Sequence, residues 1–117
     1  MKFAEFTAGR VIVLGPVSLT EAQMLAFARQ WDPQWFHTDP ARAEQDRWGG
    51  LIASGWQTCA LAMKLVVDNV LTGSESFGSP GLDYVKWLAP VRAGDALTLT
   101  ITVQNARRSQ SRADLGI

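Results

Sequence analysis

The chain has 117 residues, 47 % of them apolar and 19 % charged, a profile that fits one soluble globular domain with one core and excludes an intrinsically disordered chain. Eleven basic and eleven acidic side chains cancel, which disfavours nucleic-acid and anionic-membrane partners, because both require a net positive face. A single cysteine, Cys59, and a single histidine, His37, exclude an intramolecular disulfide, a cysteine metal site and a multi-histidine zinc site, and fit a reducing cytoplasm.

In chain order, the first residues, Met1–Lys2–Phe3–Ala4–Glu5, lack the apolar core of a signal peptide. Arg10 to Val17 reads as a short strand ending at Gly15–Pro16. Thr20-Glu21-Ala22-Gln23 has capping-box form, so a helix starts there. Met24, Phe27, Ala28 and Trp31 follow at i, i+3, i+4 and i+7 and form one apolar stripe. Asp32–Pro33 ends that helix, because proline pushes the preceding residue out of the helical region. Residues 33–37 are expected as a loop. Thr38-Asp39-Pro40 starts a second, short helix running to Gln45, with a capping side chain and proline in its first turn. Trp48-Gly49-Gly50 breaks it.

Leu51 to Leu71 is the most hydrophobic stretch and is long enough to raise the question of a membrane span. Gln57, Lys64, Asp68 and Asn69 interrupt it. Gln57, Lys64 and Asp68 share one narrow stripe at i, i+7 and i+11, so the pattern predicts a buried core helix, ending at Thr72–Gly73. Cys59 on it reads as a buried small hydrophobe. Tyr84 to Leu88 is a strand candidate and Pro90-Val91-Arg92-Ala93-Gly94-Asp95 a turn. Leu97, Leu99, Ile101 and Val103 alternate with Thr98, Thr100, Thr102 and Gln104, which marks a strand with one buried face. A single long apolar helix needs a sheet around it, so the expected class is α+β in one domain, residues 1–117. Arg107, Arg108 and Arg112 read as a solvated strand edge. Arg112 to Ile117 resembles the beginning of a further strand, and two strands after the long helix are few to cover it. The expectation is a domain lacking its C-terminal strands, or a sheet completed by another chain.

Two segments could carry chemistry. In Asp32-Pro33-Gln34-Trp35-Phe36-His37 the spacing allows a carboxylate and an imidazole to meet around one water, which such a pair can activate. Equally, Asp before Pro is an ordinary helix stop, and a histidine beside Trp and Phe is ordinarily a packed loop residue. In Gly50-Leu51-Ile52-Ala53-Ser54-Gly55-Trp56, glycines at the start of a helix allow close approach to the backbone, and free amides there suit a carbonyl oxygen gaining negative charge. The plainer alternative makes Ser54 an N-cap and Gly55 a packing glycine.

Together, these segments resemble the MaoC-like dehydratases, which include the (R)-specific enoyl-CoA hydratases, over about Phe6 to Asp114. The hydratase motif of that family runs Asp, any residue, Asn, Pro, an aliphatic residue, His. Asp32 and His37 match it at the right spacing, while Gln34, Trp35 and Phe36 depart from it. His37-Thr38-Asp39-Pro40, Gly50–Gly55 and Pro90–Asp95 match closely.

The resemblance implies a hotdog fold, an antiparallel sheet wrapped around one long central helix, usually in a homodimer or higher homo-oligomer. It implies an acyl-CoA thioester substrate and reversible hydration of an enoyl-CoA, with no cofactor and no metal. Asp32 and His37 would hold and deprotonate the catalytic water, and the Gly55 amide would polarise the thioester carbonyl. Gln34, Trp35, Ser54 and Trp56 are the expected substrate-binding residues, with Ser54 also read as the helix cap and the bulky Trp35 as a determinant of substrate choice. Met63 falls where some members of the family carry a serine. Two rivals remain. A hotdog thioesterase would commonly place a carboxylate on or just before the long helix, and Gly49 to Val67 carries none. A non-catalytic acyl-CoA-binding subunit would more often have lost Asp32 or His37.

Overall fold

Strand β1 (Val11–Val17) pairs antiparallel with β2 (Leu97–Thr102), with Val11 opposite Thr102 and Leu14 opposite Leu99. On β2 the leucines and Ile101 are half-buried and the threonines exposed, as the alternation requires. The computed structural model describes residues 1–117. β1 does not end at Gly15–Pro16 as expected; the register slips between Leu14 and Val17 and the strand resumes. The dipeptide is a bulge, where the missing proline N–H costs no ladder bond. Gly15 has φ +108°, and a Cβ there would fall 2.8 Å from the Leu97 carbonyl oxygen, so the bulge needs glycine.

Helix α1 (Glu21–Trp31) begins with the reciprocal cap: the Gln23 N–H donates to Thr20 Oγ1 at 3.1 Å and the Thr20 N–H donates to Gln23 Oε1 at 2.9 Å. Met24 and Ala28 are buried, but Trp31 is 68 % exposed, so the apolar stripe stops one turn early. The helix ends at Asp32 as the following proline dictates. Residues 33–37 are not all loop. One helical turn, α2 (Trp35–Thr38), follows Gln34, because Pro33 restricts its own φ and the residue before it, not those after it. Helix α3 (Pro40–Glu44) is capped by Asp39, whose Oδ1 accepts from the Arg42 N–H at 3.1 Å.

Leu51 to Ser54 lead without helix into α4 (Gly55–Val66), which runs on as a wider π turn, Val67–Leu71. No helix is long and apolar enough to cross a membrane. Leu19, Met24 and Ala53 form the core cluster, with Leu51, Leu61 and Val91 packed against it. Within one chain α4 is not the enclosed helix that was expected. Only Gln57 of α4 is buried, while Trp56 and Met63, and Val67 just beyond, are exposed. Cys59 is half-buried. Nor do Gln57, Lys64 and Asp68 form one solvent stripe. Gln57 Nε2 donates to the Gln23 carbonyl at 3.0 Å and ties α4 to α1, whereas Lys64 and Asp68 form an exposed 2.7 Å ion pair.

Tyr84 to Leu88 is not a strand. No neighbouring strand offers a ladder, and Tyr84 and Leu88 are exposed. The Pro90–Asp95 turn forms as expected, with the Arg92 N–H donating to Asp95 Oδ2 at 2.9 Å. The last residues fold back on themselves through an isolated bridge between Arg108 and Gly116, off the main sheet. Arg112 pairs with Asp114 at 2.7 Å in solvent. The radius of gyration is 17.4 Å and the extents are 55 × 25 × 24 Å, against about 13 Å for a compact domain of this length.

Removing one half of the α1 cap isolates its contribution. Thr20→Ala should destabilise the protein by about 1 kcal/mol, read as a lower urea midpoint at unchanged m-value.

Candidate functional site

Three helix ends meet at the site: the C-terminus of α1 supplies Asp32, α2 supplies His37, and Ser54 occupies the N-cap position of α4. His37 Nδ1 lies 2.7 Å from the Ile52 carbonyl oxygen. A carbonyl only accepts, so Nδ1 carries the hydrogen and Nε2 of the neutral ring is an acceptor. That Nε2 lies 3.3 Å from Asp32 Oδ2. Two acceptors face one another, so the arrangement calls for a proton between them, held either on the imidazole or by a donor molecule touching both.

Asp32 is held on both oxygens. Gln34 Nε2 donates to Oδ1 at 2.8 Å and Ser54 Oγ donates to Oδ2 at 2.7 Å. Burial pushes the Asp32 carboxyl up, but the Gln34 and Ser54 hydrogen bonds and the charge interaction with His37 outweigh it and hold it below the usual carboxylate value. Ser54 is fully buried and His37 is 6 % exposed.

Ser54 does not cap α4 with its side chain, contrary to expectation, since its hydroxyl is turned to Asp32. The first-turn amides of Gly55 and Trp56 therefore find no acceptor within the chain. These two residues line one wall of a cavity of about 510 Å³. Asp32, Gln34 and His37 line it too, as do residues 86–91. The arrangement joins a proton-accepting pair to hydrogen-bond donors able to receive a negative oxygen.

Asp32, Gln34, His37, Gly55 and Trp56 are thus brought together on one cavity. Two expected substrate contacts are not. Ser54 lies behind Asp32, outside the cavity lining, and Trp35 is turned away, with the Arg42 guanidinium 4.2 Å from its ring centroid. Helical geometry explains Trp35: α2 puts it two residues from His37, on another side of the turn. Sequence reasoning missed Trp48, Lys86 and Trp87 in the lining, and the Ile52 carbonyl that sets the imidazole tautomer. Lys86–Trp87 precedes the Pro90 turn, which was the available signal; a backbone carbonyl leaves none.

Residues 4–115 match the model of the MaoC like domain family. The chain is 31 % identical over 117 residues to the uncharacterized protein YdeM of Bacillus subtilis, all of this chain and 82 % of that one. It is 34 % identical over 86 residues to 3-hydroxyacyl-thioester dehydratase Z of Mycobacterium tuberculosis, covering 72 % of this chain and 57 % of that protein. Among solved structures, a MaoC-like dehydratase from Rhodospirillum rubrum superposes with a TM-score of 0.73 at 33 % identity, over 92 % of this chain and 73 % of that one.

The site geometry sets the sign of one titration. Because the Asp32 carboxyl is depressed by folding, it stabilises the fold above the ordinary carboxylate pKa, and this is lost as pH falls through its folded value. Ser54→Ala removes a lowering donor, so the Asp32 pKa should rise and acid unfolding should begin at higher pH. Carboxyl ¹³C NMR titration of both proteins measures this; an unmoved Asp32 would refute the role of the hydroxyl.

Proposed function

The chain belongs to the MaoC-like domain family, whose hotdog fold it shares as an α+β protein with an antiparallel sheet and a central helix, and from that premise we propose that it is an enoyl-CoA hydratase and 3-hydroxyacyl-CoA dehydratase. The observation that carries the reading is the acceptor pair Asp32 Oδ2 and His37 Nε2, 3.3 Å apart on a cavity whose other wall has the free Gly55 and Trp56 amides. A water that donates to both acceptors is held with its oxygen lone pairs directed away from them, as a nucleophile. In hydration that oxygen bonds to the β-carbon of the enoyl thioester, the pair takes one water proton, and the C=C electrons move to the thioester oxygen. The amides stabilise that enolate; a donor so placed contributes on the order of 10²–10³ in rate. The pair then returns a proton to the α-carbon, and the water has been added across the double bond. Dehydration is the reverse.

The activity for which the mycobacterial relative is named, 3-hydroxyacyl-thioester dehydration, supports the same reaction class. Hydrolysis is less well supported, because Gly49 to Val67 has no carboxylate to activate water against the thioester carbon. A purely binding role leaves the Asp32–His37 pair without a purpose. The reading includes a second copy of the chain covering the exposed apolar face of α4 at Met63 and Val67.

Asp32→Asn and His37→Ala should each lower hydration of an enoyl-CoA at least about 10²-fold, followed by loss of the conjugated thioester absorbance. Thiol release is measured in parallel, since only hydrolysis frees CoA. Wild-type rates in both variants would remove these residues from the chemistry, and thiol release without hydration would assign a thioesterase.

A further inference from the structure

One aromatic side chain that the reaction as described does not use packs against the first residue of α4. A Cβ built on Gly55 would fall 2.5 Å from Trp87 Nε1 and 2.7 Å from Trp87 Cδ2. The indole therefore lies directly against the Gly55 Cα, and glycine at 55 is what admits it. Trp87 is further held edge-on to Trp56, ring centroids 5.1 Å apart at 78°, an arrangement favoured for aromatic pairs. Both rings line the cavity that holds Asp32 and His37.

We infer that Trp87 is a specificity-determining residue that excludes substituents on the α-carbon of the substrate. The inference rests on the hydratase reading above. In that reading the carbonyl oxygen sits at the Gly55 and Trp56 amides and the β-carbon beside Asp32 and His37. The α-carbon is bonded to both the carbonyl carbon and the β-carbon, so it is confined next to the start of α4. The indole against Gly55 is the wall nearest that position. Groups further along the acyl chain attach beyond the β-carbon, away from Gly55, and do not meet this ring. The α-substituent of an enoyl thioester lies in the conjugated plane, so with that edge toward the indole a hydrogen fits and a methyl group meets the ring. The position also explains why Trp35, the tryptophan between the two catalytic residues in sequence, is not the selector: it lies off the cavity.

The test compares three substrates, crotonyl-CoA, its 2-methyl derivative and trans-2-octenoyl-CoA, on wild type, Trp87→Ala and Trp87→Phe. One methyl group in an apolar pocket is worth about 10- to 200-fold in discrimination. Trp87→Ala should raise kcat/KM for 2-methylcrotonyl-CoA relative to crotonyl-CoA by about 10-fold or more, with the octenoyl-to-crotonyl ratio unmoved. Trp87→Phe, which keeps a ring but shortens it, should lie between. Calorimetric binding of butyryl-CoA and 2-methylbutyryl-CoA to the same proteins provides a second measurement that does not depend on turnover. If both ratios stay at the wild-type value while crotonyl-CoA is hydrated, Trp87 is not the selector and the hydratase reading stands. A change in chain-length preference instead of branching also overturns the assignment. If wild type neither hydrates nor binds any of these thioesters, the hydratase reading fails and takes this inference with it.

Discussion

The hydrogen bond from Ser54 Oγ to Asp32 Oδ2, 2.7 Å long and made by a fully buried serine, is the interaction on which the site depends. It joins residues 22 apart in sequence and fastens the end of α1 to the start of α4. It also helps to keep the Asp32 carboxyl ionised. Because the hydroxyl is committed to Asp32, it does not close the first turn of α4, and the Gly55 and Trp56 amides stay available. An N-cap serine ordinarily adds about 1 kcal/mol to its helix. Here that stabilisation is exchanged for a positioned carboxylate and free backbone donors in one cavity.

The same economy governs the rest of the fold. α4 is apolar nearly all round, yet one chain covers it only on the side of α1 and the core cluster around Leu19, Met24 and Ala53. The sheet has two strands, and Tyr84 to Leu88, which have strand-forming side chains, lie without a ladder. Strand formation requires a neighbour with free backbone groups, whatever the local propensity. Apolar surface on α4 and unladdered backbone before Pro90 are two consequences of one shortage, that of covering sheet.

What was legible in the sequence is what local chemistry decides. The Thr20–Gln23 cap, the stop at Asp32–Pro33, the Asp39 cap, the Pro90–Asp95 turn and the alternation of β2 each depend on residues within a few positions of one another. The Asp32–His37 pair was legible for the same reason, since five residues separate its members. The losses were tertiary. Nothing in the sequence says that Ser54 turns from its helix to a carboxylate on another, that Ile52 offers its carbonyl to the imidazole, or that Trp87 rather than Trp35 reaches the cavity. The turn at Trp35–Thr38 leaves no local signal, because Pro33 restrains only itself and the residue before it.

The anchoring of Asp32 also divides labour within the pair. Its Oδ1 is occupied by Gln34 and its Oδ2 by Ser54, with the imidazole 3.3 Å away. Hydrogen bonds that stabilise a carboxylate make it a weaker base. In the proposed reaction, Asp32 is therefore better suited to orient the water and to support positive charge on the ring than to keep the proton. The ring, its Nδ1–H fixed on the Ile52 carbonyl, presents Nε2 as the acceptor for that proton. The departure at Gln34 fits this division. Its amide reaches back two residues to the oxygen that Ser54 leaves free, so the longer side chain restrains the carboxylate and does not obstruct it. Substitutions around the pair can then alter which thioester is accepted, as proposed for Trp87, without disturbing the atoms that move the proton.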